Sequence, residues 1–244
     1  MIRLVLIVAA IIIYLILTLP VVLVLYLIGL KKPETKRRAA AAMIRWFLRV
    51  LKVLAGTKLT VIGADRVPQD SAVLYVGNHR SLFDVVLALP LTKNFTGFVA
   101  KHTLRKVPMF GVWMTFIGCI LFDRDDIKDG MRMIKAGTEE LKNGNSIFIF
   151  PEGTRNKAPE ELPLLEFHEG SFRMAMKSKC PVVPVAITGT ANILEKHFPL
   201  IRSCPVTIEF CEPVYPDDIP KEMRKKIGVM TSSIIEEKIS ANKS

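Results

Sequence analysis

From Leu4 to Leu30 the chain carries no charged residue, and nearly every position is Leu, Ile, Val or Ala. As one helix this run would be roughly 40 Å long at about 1.5 Å per residue. The hydrocarbon core of a bilayer is about 30 Å thick, so the run can span with some tilt. A cleaved leader fits poorly, because the run is too long and no small-x-small cleavage site closes it. A buried core helix also fits poorly, since the run is apolar all round. The expectation is therefore an N-terminal membrane-embedded helix. Pro20 removes a backbone donor near its middle and predicts a kink there. A kinked span and a shallow re-entrant hairpin both remain open.

The charge is as unevenly spread as the apolar surface. The 244 residues hold 34 Lys and Arg against 23 Asp and Glu, a net +11. Residues 1–60 contain ten of the cations and one acid, Glu34, so they carry +9 and the rest of the chain carries +2. Lys31, Lys32, Lys36, Arg37 and Arg38 directly follow the apolar run. The positive-inside rule then keeps the following domain in the cytoplasm. Each such residue near an anionic leaflet contributes about 1 kcal/mol. Nucleic acid is a poor partner, because the basic excess lies beside a membrane segment and not across a domain face.

Residues 36–55 read as a second membrane element. Arg38, Arg45, Arg49 and Lys52 share one helical face, and Met43, Ile44, Phe47, Leu48, Leu51 and Leu54 fall largely on the other. A basic amphipathic helix of this kind lies in the headgroup plane, where Trp46 also fits. An ordinary surface helix packed on the domain is the plainer alternative.

From Lys58 onward short runs rich in β-branched residues appear at 58–62, 72–77, 96–100, 118–122, 146–150, 182–187 and 205–210. Helical patterns lie between several of them. One covers 126–143, with Ile127, Met131, Ile134, Thr138 and Leu141 at helical spacing, Asp125 and Asp126 at its start and Gly144 at its end. Others cover 170–179 and 220–239, the last with Met223, Ile227, Met230 and Ile234 on one face. The chain thus divides into an anchor and interfacial helix over 1–57 and an α/β domain over 58–244, with a mixed sheet flanked by helices. Cys119, Cys180, Cys204 and Cys211 are too few and too irregular for a disulfide scaffold, and they read as buried thiols of a reducing compartment.

Three constellations can carry chemistry. His79 follows the apolar run Leu74-Tyr75-Val76-Gly77, and Ser81 and Asp84 follow it. A strand leaving the sheet here puts His79 on the exit turn, Ser81 at a helix cap and Asp84 in the first helical turn. A carboxylate on one ring nitrogen fixes the tautomer and frees the other nitrogen to accept a proton, which makes a general-base unit. A surface histidine near an aspartate gives the same spacing by chance. Phe150-Pro151-Glu152-Gly153-Thr154-Arg155 follows another strand and offers a glycine, a hydroxyl and a guanidinium fork suited to phosphate. Read alone it is equally a turn with a solvated arginine. Lys101, Arg105 and Lys106 precede the apolar stretch Met109 to Ile120, which suits an anionic amphiphile, and Asp123-Arg124 ends the next strand. There is no G-x-S-x-G elbow, no phosphate-binding glycine loop and no metal-ligand spacing of the histidines.

In order, these segments resemble the 1-acyl-sn-glycerol-3-phosphate acyltransferase family of glycerolipid acyltransferases. Asn78 to Asp84 is similar to the N-H-x-S-x-x-D block, Lys101 to Gly111 to K-x-x-L-x-x-x-P-x-x-G, and Gly118 to Arg124 to G-x-x-F-I-D-R. Phe150 to Arg155 matches F-P-E-G-T-R, and Val183 to Ile187 is similar to the final block. Where many relatives read F-K-x-G, this chain has Phe167-His168-Glu169-Gly170.

The resemblance implies transfer of a fatty acyl chain from an acyl thioester to the 2-hydroxyl of 1-acylglycerol 3-phosphate (lysophosphatidic acid), giving phosphatidic acid. His79 and Asp84 would form the catalytic dyad. Lys101, Arg124 and Arg155 would hold the acceptor phosphate, with Glu152, Gly153 and Thr154 shaping that site. No metal or cofactor is implied, and an acyl carrier protein or coenzyme A thioester would be the co-substrate. Another lysophospholipid, or glycerol 3-phosphate, is an alternative acceptor. A non-catalytic membrane lipid-binding protein is the rival of a different class.

Overall fold

The computed structural model describes residues 1–93 and 95–242. The strands are β1 (Lys58–Ile62), β2 (Leu74–Gly77), β3 (Thr96–Lys101), β4 (Ile120–Phe122), β5 (Ser146–Ile149), β6 (Val182–Thr188) and β7 (Pro205–Phe210). Every β-rich run read from the sequence is a strand, with ends moved by up to two residues. The helices are α1 (Ile2–Leu17), α2 (Leu19–Lys31), α3 (Pro33–Ala55), α4 (Phe83–Ala88), α5 (Phe110–Phe116), α6 (Ile127–Lys142), α7 (Arg173–Ser178) and α8 (Ile227–Ala241). The strands form one sheet in the order β1-β7-β6-β2-β5-β3-β4. From β6 to β4 all neighbours are parallel. β7 runs antiparallel to β6 and carries β1 parallel to itself. The sheet is mixed, as expected.

Side-chain alternation along the strands sorts the core into two layers. Val73 and Tyr75 join Phe98, Phe148, Val183 and Val185 on one face, against residues of α1 to α5. Leu74 and Val76 join Val99, Ile147, Ile149 and Val182 on the other, against α6, α7 and α8. Helices therefore cover both faces, which matches central strands that are buried throughout.

The long apolar run is two helices, not one. α1 and α2 meet at Thr18 and are bent by 50° to each other. The break lies two residues before Pro20. The Thr18 hydroxyl turns back onto the Tyr14 carbonyl at 2.7 Å, and Pro20 sits in the first turn of α2, where a missing N–H costs least. Among the described residues no single helix is long and apolar enough to cross a membrane, but the bent pair passes that test together. Only Ile7 and Tyr14 of α1 and Leu25 of α2 are buried.

α3 starts earlier than the sequence pattern indicated and packs against α1, α2, α4 and α5. Tyr14 stacks on its Phe47 with ring centroids 4.0 Å apart. The expected single basic face is split by this packing. Arg38 and Arg49 stay exposed, whereas Arg45 reaches Thr92 Oγ1 at 3.4 Å and Arg37 pairs with Glu140 of α6 at 2.5 Å. The Arg37 guanidinium lies over Gly118, whose φ is +74° and which has no room for a Cβ beneath it.

Two helical faces follow the sequence reading only in part: Thr138 and Leu141 of α6 and Ile227 of α8 are buried as expected. In α6 the buried positions are Met133, Gly137, Thr138 and Leu141, while Ile127 and Met131 are 85% and 63% exposed. Apolar spacing alone did not separate the exposed N-terminal positions from the buried C-terminal ones. In α8 the buried row is Ile227, Thr231, Ile235 and Ile239, and Met223 lies outside the helix. Asp126 caps α6 through the Lys128 N–H at 2.8 Å, as its position predicted. The four cysteines are free, but only Cys211 is buried and the other three are half-buried.

Gly97 of β3 faces the Gly118 carbonyl oxygen so closely that an added Cβ would collide with it. That neighbour is backbone and cannot turn aside. Gly97→Ala is expected to lower stability by about 1–3 kcal/mol, read as a fall in the thermal unfolding midpoint of the purified protein.

Candidate active site

The residues singled out by sequence lie just beyond the carboxyl ends of neighbouring parallel strands, where α/β sheets place their ligands. His79 follows β2, the 150–155 segment follows β5, Lys101 ends β3, and Asp123-Arg124 follows β4. At about 4.8 Å per strand, Lys101 is roughly 10 Å and Arg124 roughly 14 Å along the sheet from the β2 end. His79 and the 150–155 segment are direct neighbours through the β2–β5 ladder.

The end of β2 is locked to β6 by Asn78. Its side-chain amide donates to the Ile187 carbonyl at 2.9 Å and its Oδ1 accepts the Ile187 N–H at 2.8 Å. The chain then turns, and the turn closes on one atom. Asp84 Oδ2 accepts from His79 Nδ1 at 2.7 Å, the Arg80 N–H at 2.7 Å and the Ser81 N–H at 2.8 Å. Asp84 is fully buried and sits in the first turn of α4. Ser81 is buried and its Oγ accepts the Phe83 N–H at 3.0 Å, just ahead of that helix, whose N-cap position is Leu82.

The His79 ring is held from below by Phe150, with centroids 4.2 Å apart and planes 17° from parallel. Gly77 makes room for this stack, since a Cβ there would lie 3.0 Å from the Phe148 ring and 3.3 Å from the Phe150 ring. The His79 side chain is 15% exposed, and its Nε2 has no hydrogen-bond partner among the described residues. With Nδ1–H directed at Asp84, the Nε2 lone pair is the one that faces outward.

Glu152 lies beneath the same turn. One carboxylate oxygen accepts the His79 N–H at 2.6 Å and the other accepts the Leu165 N–H at 3.1 Å. Both oxygens are thus committed to backbone, and Glu152 holds the His79 turn against the β5 segment. Burial pushes its carboxyl up from the ordinary value, partly offset by those two N–H donors. Gly153 adopts φ +70°, with the His168 ring against it. Thr154 is exposed, and Arg155 is half-buried and paired with Glu195 at 3.2 Å. Lys101 and Arg124 are exposed. His102 and Asp123, at the β3 and β4 ends, approach to 3.6 Å. The apolar stretch expected to lie open beside these cations is mostly interior, because Trp113, Met114, Phe116 and Ile117 pack beneath the helical layer. Val107, Phe110 and Val112 remain exposed.

Residues 58–188 match the family model described as Acyltransferase, more than half of the chain. The chain belongs to the acyltransferase family. It is 25% identical over 200 residues to the 1-acyl-sn-glycerol-3-phosphate acyltransferase of Saccharomyces cerevisiae, covering 82% of this chain and 64% of that one. It is 33% identical over 153 residues to the enzyme of that name from Haemophilus influenzae, covering 61% of this chain and 60% of that one. The chain therefore spans less than two thirds of these relatives' length. The crystal structure of the 1-acyl-sn-glycerophosphate (LPA) acyltransferase PlsC from Thermotoga maritima superposes with a TM-score of 0.70 at 26% identity, covering 91% of this chain and 96% of that one.

Two contributors were invisible in the sequence reading. Glu195 lies 40 residues from Arg155 and in none of the motif segments. The stacking role of Phe150 has no local signal beyond its place at the head of the motif.

In the folded acyltransferase the buried Glu152 carboxyl holds its proton more tightly than in the unfolded chain. Its contribution to stability is complete below the unfolded-chain value and is lost as pH rises through the raised one. Glu152→Gln leaves one carbonyl oxygen for two N–H donors, a loss of about 1–3 kcal/mol. In denaturant titrations the gap between wild type and variant is expected to be widest in acid and to narrow as the pH rises from about 4.

Proposed function

We propose that this acyltransferase moves a fatty acyl group from an acyl thioester to the 2-hydroxyl of 1-acylglycerol 3-phosphate, giving phosphatidic acid. The observation that carries this reading is the His79–Asp84 pair, closed at 2.7 Å with Nε2 left open at the carboxyl edge of the sheet. The relatives, which are 1-acyl-sn-glycerol-3-phosphate acyltransferases, supply the acceptor class.

His79 Nε2 takes the hydroxyl proton as the oxygen attacks the thioester carbonyl, forming the new C–O bond. Asp84 holds the ring in one tautomer and stabilises the imidazolium. Collapse of the tetrahedral intermediate breaks the C–S bond, and the thiolate leaves with the proton from Nε2. No acyl-enzyme bond is needed, and the Ser81 hydroxyl is occupied as acceptor of the Phe83 N–H. Arg155 holds the acceptor phosphate, with Lys101 and Arg124 further along the edge and Gly153 and Thr154 forming the floor. Fixing the phosphate brings the 2-hydroxyl to Nε2, which is where positioning contributes most. Glu152 acts through the His79 backbone. The acyl donor is a thioester of acyl carrier protein or coenzyme A.

The bent α1–α2 pair and the exposed cations of α3 seat the enzyme in a bilayer, with the catalytic part on the cytoplasmic side. Val5, Ile13, Ile16, Leu23, Val24 and Leu27 are each between 54% and 61% exposed, far more contiguous apolar surface than a water-facing helix pair tolerates.

His79→Ala is expected to lower turnover by about 10²- to 10⁴-fold while the protein still binds lysophosphatidic acid in detergent micelles. Unchanged turnover would sink the general-base assignment. Replacing Val24 and Leu27 together by Asp is expected to abolish co-sedimentation with phospholipid vesicles. Activity on a short-chain, water-soluble acceptor is expected to persist.

A further inference from the structure

Glu195 lies outside the segment that matches the family, in a short 3₁₀ turn (Glu195–His197) beyond β6. A single oxygen of its carboxylate does two things. Oε1 accepts the Leu82 N–H at 2.8 Å and Arg155 Nη1 at 3.2 Å. Leu82 is the residue just before α4, two positions before Asp84. The carboxylate therefore ties the loop bearing the His79–Asp84 pair to the loop bearing Arg155. It grips the guanidinium at one nitrogen only, a contact that leaves the rest of the donor fork open. Its second oxygen is buried and has no hydrogen-bond partner among the described residues.

We infer that Glu195 is a positioning residue that sets where the acceptor phosphate sits relative to His79. This rests on the reading that Arg155 binds that phosphate. Arginine has a long, rotatable stem, and nothing in its own loop fixes the guanidinium. Glu195 fixes it, and fixes it to the same turn that carries the base. An anion bound on the open edge of Arg155 then arrives in register with Nε2.

The test is steady-state kinetics of the full-length protein in mixed micelles, with lysophosphatidic acid and an acyl-coenzyme A or acyl carrier protein thioester varied in turn. Glu195→Ala is expected to raise the acceptor KM by about tenfold, the scale of one charge-assisted hydrogen bond. The donor KM is expected to stay unchanged. Glu195→Gln keeps a carbonyl oxygen for both donors and is expected to recover most of the loss. In an Arg155→Ala background, Glu195→Ala is expected to add less than twofold.

Glu195→Ala with an unchanged acceptor KM, or with the same tenfold rise in the Arg155→Ala background, overturns the role of Glu195 alone. So does a parallel loss in kcat and in both KM values with a lowered unfolding midpoint, which marks a fold defect. An Arg155→Ala protein with an unchanged acceptor KM overturns the phosphate assignment itself, and the role of Glu195 with it.

Discussion

One carboxylate oxygen organises the carboxyl edge of the sheet. Asp84 Oδ2 receives three N–H groups within 2.8 Å: a ring nitrogen and two consecutive backbone amides. The backbone donors place the oxygen, and the oxygen places the ring. Because the two amides belong to the turn that links β2 to α4, the geometry of the His79–Asp84 pair is a property of that turn and not of a freely rotating pair of side chains. Removing the carboxylate would strand two buried amides as well as the histidine, a loss of about 1–3 kcal/mol for each donor left unpaired. The same logic recurs around it. Asn78 fixes the turn to β6, Glu152 fixes it to the segment after β5, and Arg80 fixes it to the Ala158 and Glu160 carbonyls. The site is a loop clamped from three sides by side chains that bond to backbone.

Local order along the chain was plain to read where one residue pattern had one physical outcome. Short β-branched runs gave all the strands, because a half-length apolar run flanked by Gly, Pro and polar residues has few other uses. The spacing of His79, Ser81 and Asp84 correctly implied an exit turn and a first helical turn. Asp126 correctly implied a helix cap. Position within a layer was harder. Ile127 and Met131 have the spacing of a core stripe yet face outward, while Thr138 and Leu141 of the same helix are buried. Arg45 has the spacing of a solvated face yet reaches Thr92, since α3 is covered on more than one side. Periodicity reports which residues share a face and is silent on what that face meets.

The candidate site divides in the same way. Motif residues at strand ends were legible because strand ends are where a parallel sheet exposes its loops. Their duties were less so. Glu152 stands in a phosphate-like motif, but both of its oxygens serve backbone amides. Glu195 was absent from any sequence reading because its partnership with Arg155 exists only after β6 and β5 are placed in one sheet. A tertiary hydrogen bond across 40 residues leaves no local trace.

The carboxylates of Asp84, Glu152 and Glu195 all lie beside His79 or Arg155, and the chain after residue 60 carries only +2 overall. A site balanced in this way casts a weak field into the surrounding water. On the proposed reading its acceptor is not drawn from solution by charge. On that reading the lipid arrives by lateral diffusion within the leaflet in which the N-terminal helices are proposed to sit, and the encounter is two-dimensional. On the same reading, turnover responds to the mole fraction of acceptor in the surface and only feebly to ionic strength, and the effective substrate concentration is set by the membrane's composition.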